Sequence, residues 1–283
     1  MTEIIASNVG GTSTLIGDPP NIMIGSAANL NFNDFIVNIG PVVIFIIISL
    51  LVCFKIIYRK EINNVSNEVA ISSLDENKAI KDKSLLYKSI CVLFLILLGF
   101  IFHNKLQIES SIVALSGACI MLIIGGQDPS EIISSVEWST IIFFIGLFIV
   151  VGGISESGVI KDLASLLLEF TKGNTTSTMC IILWISAVIS SFLDNIPFVA
   201  TLIPLILTME AQGMNVAPLW WATSLGACLG GNGTLIGASA NVVLANIGEK
   251  HGYDISFKKY LRLGFPVMIL TIAISTVYLL LRY

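Results

Sequence analysis

A chain of 283 residues that is 55% hydrophobic and 12% charged, with a mean hydropathy of +0.89, is not a soluble globular domain, which carries about 25% charge. The length allows roughly nine bilayer-crossing segments at about 20 residues each, and a net charge of −4 leaves no basic footprint for nucleic acid. The five cysteines (Cys53, Cys91, Cys119, Cys180, Cys228) stand singly with no C-x-x-C spacing, so they read as small apolar packing residues, not as a zinc site or a disulfide framework.

In chain order, residues 1–10 (MTEIIASNVG) lack the basic and apolar regions of a cleavable signal. Residues 1–28 are apolar but broken by Gly10, Gly11, Gly17, Pro19, Pro20 and Gly25. A clean span is expected at 36–57, then a solvated linker over the charge-mixed stretch 59–84. Further spans are expected near 85–102, 106–125 and 138–153. Glu156, Lys161, Asp162, Glu169 and Lys172 put too much charge into 155–172 for a span, and an interfacial amphipathic helix is expected there. In 175–212, two arms (175–190 and 198–209) flank SFLDNIP. Each arm is short for a span, and irregular backbone at membrane depth must face protein or water, so a re-entrant hairpin is expected. A second Gly-rich stretch lies in 217–248, and a last span covers 262–282.

The two Gly-rich stretches repeat one phrase. GGTSTLIGDPPN (10–21) and GGNGTLIGASAN (230–241) share seven of twelve positions at an offset of 220. Downstream, Phe32, Phe35 and Pro41 match Phe257, Tyr260 and Pro266 at an offset of 225. Lysine and arginine set the orientation. With 59–84 in the cytoplasm, eleven of the fifteen basic residues lie inside, and only Lys105, Lys161, Lys172 and Arg282 face out. The two phrases then cross the bilayer in opposite directions. Inverted repeats with interrupted helices near the midplane mark secondary transporters.

Glycine and proline release backbone groups from the helix ladder, and in lipid those groups need partners. Half-helix N-termini favour anions, and C-terminal carbonyls favour cations. Pro19 and Pro20 fit the start of a second half-helix, where a missing N–H is harmless. Asn8, Asn21, Asn195 and Asn241 supply amides, and Thr14 and Thr234 supply hydroxyls at equivalent places. Asp18 and Asp194 are the carboxylates in apolar surroundings. Asp194 reads as a functional residue between its two arms, whereas Asp18, whose counterpart is Ala238, fits an N-cap as well as a substrate role. His103 and His251 sit beside polar loops. No G-x-S-x-G, G-x-G-x-x-G or phosphate-loop GK[ST] sequence occurs, so an enzyme is not expected.

The stretches ASNVGGTSTLIGDPPNIMIGSAANLNFNDF (6–35), VEWSTIIFFIGLFIVVGGISESGVI (136–160) and SFLDNIPFVATLIPL (191–205) resemble the ion transporter superfamily. The resemblance is strongest to its branch with the arsenite-efflux membrane subunit ArsB, the sodium/proton antiporter NhaD and the P protein. It implies an all-α polytopic fold of two inverted repeats, each with a re-entrant hairpin and a discontinuous helix. Carried over, Asn8 to Asn21 form the broken helix of the first repeat. Asp194 and Asn195 form the hairpin tip of the second, and Gly230 to Asn241 its broken helix. The implied binding residues are Asn8, Gly10, Gly11, Thr14, Asp18, Asn21, Asp194, Asn195, Gly230, Gly231, Asn232, Thr234 and Asn241, with sodium near Asp194, Asn195 and Asn241.

Asp194 precedes Gly230 by 36 residues, so the equivalent first tip would fall before residue 1. An incomplete first repeat is therefore expected, in a fragment or a split transporter. The domains expected are 1–58 (rest of the first repeat), 59–84 (cytoplasmic linker) and 85–283 (second repeat). The expected function is secondary active transport across the cell membrane by alternating access. Arsenite or antimonite efflux leads, with sodium/proton antiport and organic anion (citrate-like) permeation as alternatives. A non-transporting remnant is the rival from another class. No cofactor is expected, and a proton or sodium gradient would drive the cycle. The candidate partners are the lipid bilayer, a small ion or anion substrate, a second copy in a homodimer and an ATPase subunit, with no nucleic acid. The orientation has a direct test: a cysteine replacing Lys78 is expected to react with impermeant thiol reagents from the cytoplasm only, and labelling of intact cells from outside would reverse the topology.

Overall fold

The computed structural model describes residues 1–59, 80, 82–250, 252–253 and 255–283. Most of the expected linker and His251 lie outside the described residues. The described residues form helices without any strand. Four of these helices, Gly40–Ile57, Lys83–His103, Thr175–Phe192 and Phe257–Arg282, are long and apolar enough to cross a membrane. A fifth candidate is the pair Ile141–Glu156 and Val159–Thr171, bent by 67°. The protein is a multi-pass membrane protein of all-α class.

The described residues fall into two compact units, residues 57–142 and residues 1–56 with 143–283. In the smaller unit, α5 (Lys83–Leu106) packs on α6 (Ser110–Ile124), and α7 (Pro129–Ser134) follows. The contact is made by small residues: a Cβ on Gly117 would fall 2.2 Å from Ile96 Cδ1, and one on Gly99 2.5 Å from Val113 Cγ1. Lys88 Nζ donates to the Ile124 carbonyl at 2.8 Å, which satisfies an otherwise free acceptor at the end of α6. Helix α8 (Trp138–Glu156) carries the chain into the larger unit.

The larger unit begins with α1 (Thr2–Thr12), α2 (Pro19–Ala28), α3 (Phe32–Asn38) and α4 (Gly40–Ile57). Helix α2 starts on two prolines, where the missing N–H groups cost nothing. An Asn31–Asp34 capping box opens α3. Past the bend, α9 (Val159–Thr171) shows one face inward through Ile160, Ala164 and Thr171, while Leu163, Leu166 and Phe170 are exposed. That is the amphipathic pattern expected for 155–172. Then come α10 (Thr175–Phe192), α11 (Asn195–Ala211), α12 (Ala217–Gly230), α13 (Ser239–Lys250) and α14 (Phe257–Arg282).

The arms of the expected hairpin are longer than the sequence suggests. Helix α10 has 18 residues and passes as a full span, and α11 has 17. Ser191, the first residue of the stretch expected to interrupt the arms, is absorbed into α10, because its Oγ donates to Gly230 O at 3.0 Å while Ser190 Oγ beside it donates to Ala227 O at 2.7 Å. With their hydroxyls bonded across to α12, both serines can sit deep in a helix.

Helix α12 is the axis of this unit. Thirteen of its fourteen residues are buried, and it touches α1, α2, α10, α11 and α14. Helices in lipid associate mainly through close packing, which small residues permit. Gly226 and Gly230 do this against α10. A Cβ on Gly226 would come within 2.6 Å of Leu183 O, and one on Gly230 within 2.6 Å of Ala187 O. Gly230→Leu is therefore expected to lower stability by about 1–3 kcal/mol through overpacking. Gly146, with nothing within 4 Å of an added Cβ, should accept Leu without change. Thermal unfolding of both variants in detergent tests this; equal midpoints would refute the packing role.

Candidate substrate site at two helix breaks

Both copies of the repeated phrase form the same structure, a helix, a short break and a second helix. The first runs α1, residues 13–18, α2; the second runs α12, residues 231–238, α13. Each break frees main-chain carbonyls, and in each the asparagine at the end of the phrase reclaims two of them. Asn21 Nδ2 donates to Thr12 O at 3.1 Å and Thr14 O at 3.0 Å. Asn241 Nδ2 donates to Gly231 O at 2.7 Å and Thr234 O at 2.9 Å. The backbone bond Gly17 N–H to Thr14 O (3.3 Å) has its equal in Gly237 N–H to Thr234 O (3.2 Å). Glycines close both turns: a Cβ on Gly11 would lie 2.6 Å from Gly17 O, and one on Gly237 2.7 Å from Gly231 O.

The breaks also bond to each other. Asn8 Nδ2 donates to Asn232 Oδ1 at 2.9 Å and to Asn241 Oδ1 at 2.8 Å. In the reverse direction, Asn21 Oδ1 accepts from Ser224 Oγ at 2.6 Å and from Cys228 Sγ at 3.5 Å. Thr234 Oγ1 donates to Ser191 O, which fastens the second break to the end of α10.

Between the breaks lies a cavity of about 110 Å³ lined by Ser7, Asn8, Gly11, Gly17, Asp18, Pro19, Asn195, Ile196, Ala238, Ser239 and Ala240. Pro19, Asn195 and Ser239 are the opening residues of α2, α11 and α13, so the first turns of three helices form its wall. The positive dipole end of a helix lies in that first turn; Pro19 and Pro20 give α2 no N–H groups at its first two positions, and Ile196 N–H of α11 is taken by the Asp194 side chain.

The two candidate carboxylates have different places. Asp194 is the N-cap of α11, and its Oδ1 accepts from Ile196 N–H at 3.0 Å. Asp18 stands at the N-cap position of α2 but makes no capping bond. Its carboxylate instead meets Asn195 Nδ2, long at 3.4 Å to each oxygen, and lines the cavity.

Of the residues singled out from sequence, Asn8, Gly11, Asp18 and Asn195 line the cavity. Gly10, Thr14, Asn21, Gly230, Gly231, Asn232, Thr234 and Asn241 build the breaks behind it. Gly10 O accepts from Ser13 N–H at 3.1 Å, and Gly230 packs on α10. Of the three residues expected around sodium, Asn195 alone faces the cavity. Ser7, Gly17, Pro19, Ile196, Ala238, Ser239 and Ala240 line it without having been singled out as site residues. Gly17, Pro19 and residues 238–240 lie inside the repeated phrase, so its spacing already pointed to them. Ser7 and Ile196 carry no sequence signal beyond adjacency to Asn8 and Asn195.

These features define a polytopic membrane protein with a polar cavity built on interrupted helices, the architecture of a transporter. The chain matches the model of the family described as Citrate transporter over residues 1–226, and it belongs to that family. It is 44% identical over 287 residues to an uncharacterized transporter of Mycobacterium tuberculosis, covering 100% of this chain and 67% of the relative. It is 31% identical over 302 residues to an uncharacterized transporter of Synechocystis, covering 97% of this chain and 66% of the relative. The P protein of Sus scrofa is 30% identical over 364 residues, with 100% of this chain and 43% of that protein covered.

The asparagine side chains carry the local geometry, and that can be tested. Asn21→Ala leaves Thr12 O, and Asn241→Ala leaves Gly231 O, without its donor, while Thr14 O and Thr234 O keep their backbone partners. Each is expected to destabilise the protein by about 1–3 kcal/mol, the cost of one orphaned buried group. Thermal midpoints unchanged from wild type would show that the breaks hold without these amides.

Proposed function

We propose that the cavity is the substrate site of a secondary active transporter for small anions, with organic acids of the citrate kind foremost. The carrying observation is the meeting of three helix N-termini around one polar cavity. The positive dipole ends of helices favour carboxylate and phosphate oxygens without a cationic side chain, and α13, which opens on Ser239 without a proline, is the one of the three whose first turn keeps its full set of N–H groups. Among the described residues no lysine or arginine lines the cavity, so these dipoles with Asn195 and Ser239 are the anion-favouring groups. The family's description supports the substrate class, and the similarity of the two breaks supports inverted repeats working by alternating access.

Asp18 gives the site its coupling. An ionised carboxylate and a bound anion repel strongly in a small cavity of low dielectric. The anion therefore enters with a proton on Asp18 or with sodium beside it, and either ion then moves with the substrate. Asp194, engaged in capping α11, has a supporting role. Arsenous acid, neutral at pH 7, would suit the same amides and hydroxyls, and a sodium/proton exchange would use Asp18 alone. Both stay within the test.

Uptake of citrate, arsenite and sodium into vesicles holding the protein decides among them. Saturable citrate uptake that rises with an imposed inward proton or sodium gradient is expected. Asp18→Asn should uncouple the flux from that gradient. Asp194→Asn keeps a side-chain oxygen for the cap and should retain most of the flux. Arsenite or sodium flux in place of citrate would reassign the substrate, loss of flux in Asp194→Asn alone would reassign the coupling carboxylate, and no flux of any of the three would end the reading.

A further inference from the structure

We infer that Asn8 is a positioning residue, the clasp that holds the two helix breaks at a fixed separation and so sets the width of the cavity. The argument begins with an equivalence. At the offset of 220 that relates the two phrases, Asn8 corresponds to Cys228 and Asn21 to Asn241. Asn8 donates to Asn241, and Cys228 donates to Asn21. Equivalent positions therefore cross over to the opposite asparagine, one as an amide at 2.8 Å and one as a thiol at 3.5 Å. The thiol is a weak donor, so the amide is the stronger of this equivalent pair, and on the side of Asn21 the Ser224 hydroxyl, at 2.6 Å, supplies the firm bond instead.

The acceptors differ in firmness. Asn232 Nδ2 is buried without a partner, so that amide can turn at little cost. Asn241 Nδ2 is held by Gly231 O and Thr234 O, which fixes its Oδ1 toward Asn8. Asn8 thus grips the one side chain that also closes the second break. Its own helix supplies Ser7, Asn8 and Gly11 to one wall of the cavity, while Ala238, Ser239 and Ala240 form another. A bond from Asn8 to Asn241 ties these two walls together. This geometry stands without the transport reading and rests on it only for the consequence that both walls move together during transport.

The test uses accessibility, so it does not depend on the substrate. Ala238 is 7% exposed and lines the cavity. Ala238→Cys is introduced into protein whose five cysteines are replaced by serine, which leaves a hydroxyl donor at position 228. The rate of reaction with a water-soluble thiol reagent is then measured on material that elutes as a single folded species. Asn8→Ala is expected to raise that rate about tenfold or more, as loss of two hydrogen bonds implies, and the isosteric Asn8→Asp, which can still accept from a turned Asn232 amide but loses the bond to Asn241, about threefold or more. Asn232→Ala, which removes the looser acceptor, is expected to raise it about threefold or less, half of that loss. A purely stabilising role for Asn8 would lower the folded yield without changing the rate in the folded fraction. Unchanged labelling in folded Asn8→Ala and Asn8→Asp overturns the inference. If Asn8→Ala does not fold, Asn8→Asp decides, and a larger effect of Asn232→Ala than of Asn8→Asp also overturns it. Altered labelling in a protein that moves none of the tested substrates would end the proposed function and leave the clasp standing.

Discussion

Interrupting a helix inside a membrane protein frees carbonyl groups that have no bulk water to turn to, and the rest of this site depends on how they are satisfied. Each would cost several kcal/mol if left bare in hydrocarbon. Here two asparagine amides, Asn21 and Asn241, take two carbonyls each. Asparagine suits the task because its NH2 group has two donors and its oxygen stays free. Those oxygens form the second layer of the structure. Asn21 receives Ser224 and Cys228, and Asn241 receives Asn8. Repair of each break therefore also creates the joint between them.

That joint needs a close-packed support, and α12 provides it. Apolar side chains are no better placed against each other than against lipid tails, so the support relies on shape and hydrogen bonds. Gly226 and Gly230 let α12 lie directly on α10. Ser190 and Ser191 then bond to carbonyls at the end of α12, giving Ala227 O and Gly230 O a second donor beside their backbone partners. The second break, just beyond Gly230, is fastened by the same residues through Thr234 and Ser191. Packing and polar satisfaction are thus not separate contributions in this unit. The glycines bring the backbones near enough for the serines to reach.

Much of this was legible in the chain. Composition decided the solvent, and the duplicated phrase located both breaks within a residue or two, because Gly and Pro act through local backbone freedom that a sequence displays. The helix start at Pro19 and the face of α9 are local in the same sense. Partners far apart in sequence were not legible. Ser191 reads as the start of a polar break, yet it and its neighbour Ser190 have acceptors 39 and 37 residues away. Asp18 and Asp194 were separable only by asking which one caps a helix. Both stand at an N-cap position, and only the structure shows that Asp194 uses it while Asp18 turns toward Asn195.

The similarity of the two breaks makes their differences informative. Where the first has Asp18, Pro19 and Pro20, the second has Ala238, Ser239 and Ala240. The shared residues, the glycines, threonine and final asparagine, are those that build a break. Of the differing residues, Asp18, Pro19, Ala238, Ser239 and Ala240 line the space between the breaks, while Pro20 and the pairs Thr12/Asn232 and Ser13/Gly233 do not. A scaffold of matched halves thus holds a carboxylate on one side and a hydroxyl on the other. Matched halves permit two arrangements of similar energy, which alternating access needs. A lone charge between them makes those arrangements respond differently to an ion, and a neutral, fully matched pair would not. On the proposed transport reading, the asymmetry at position 18 is where the fold would acquire its dependence on a coupled ion.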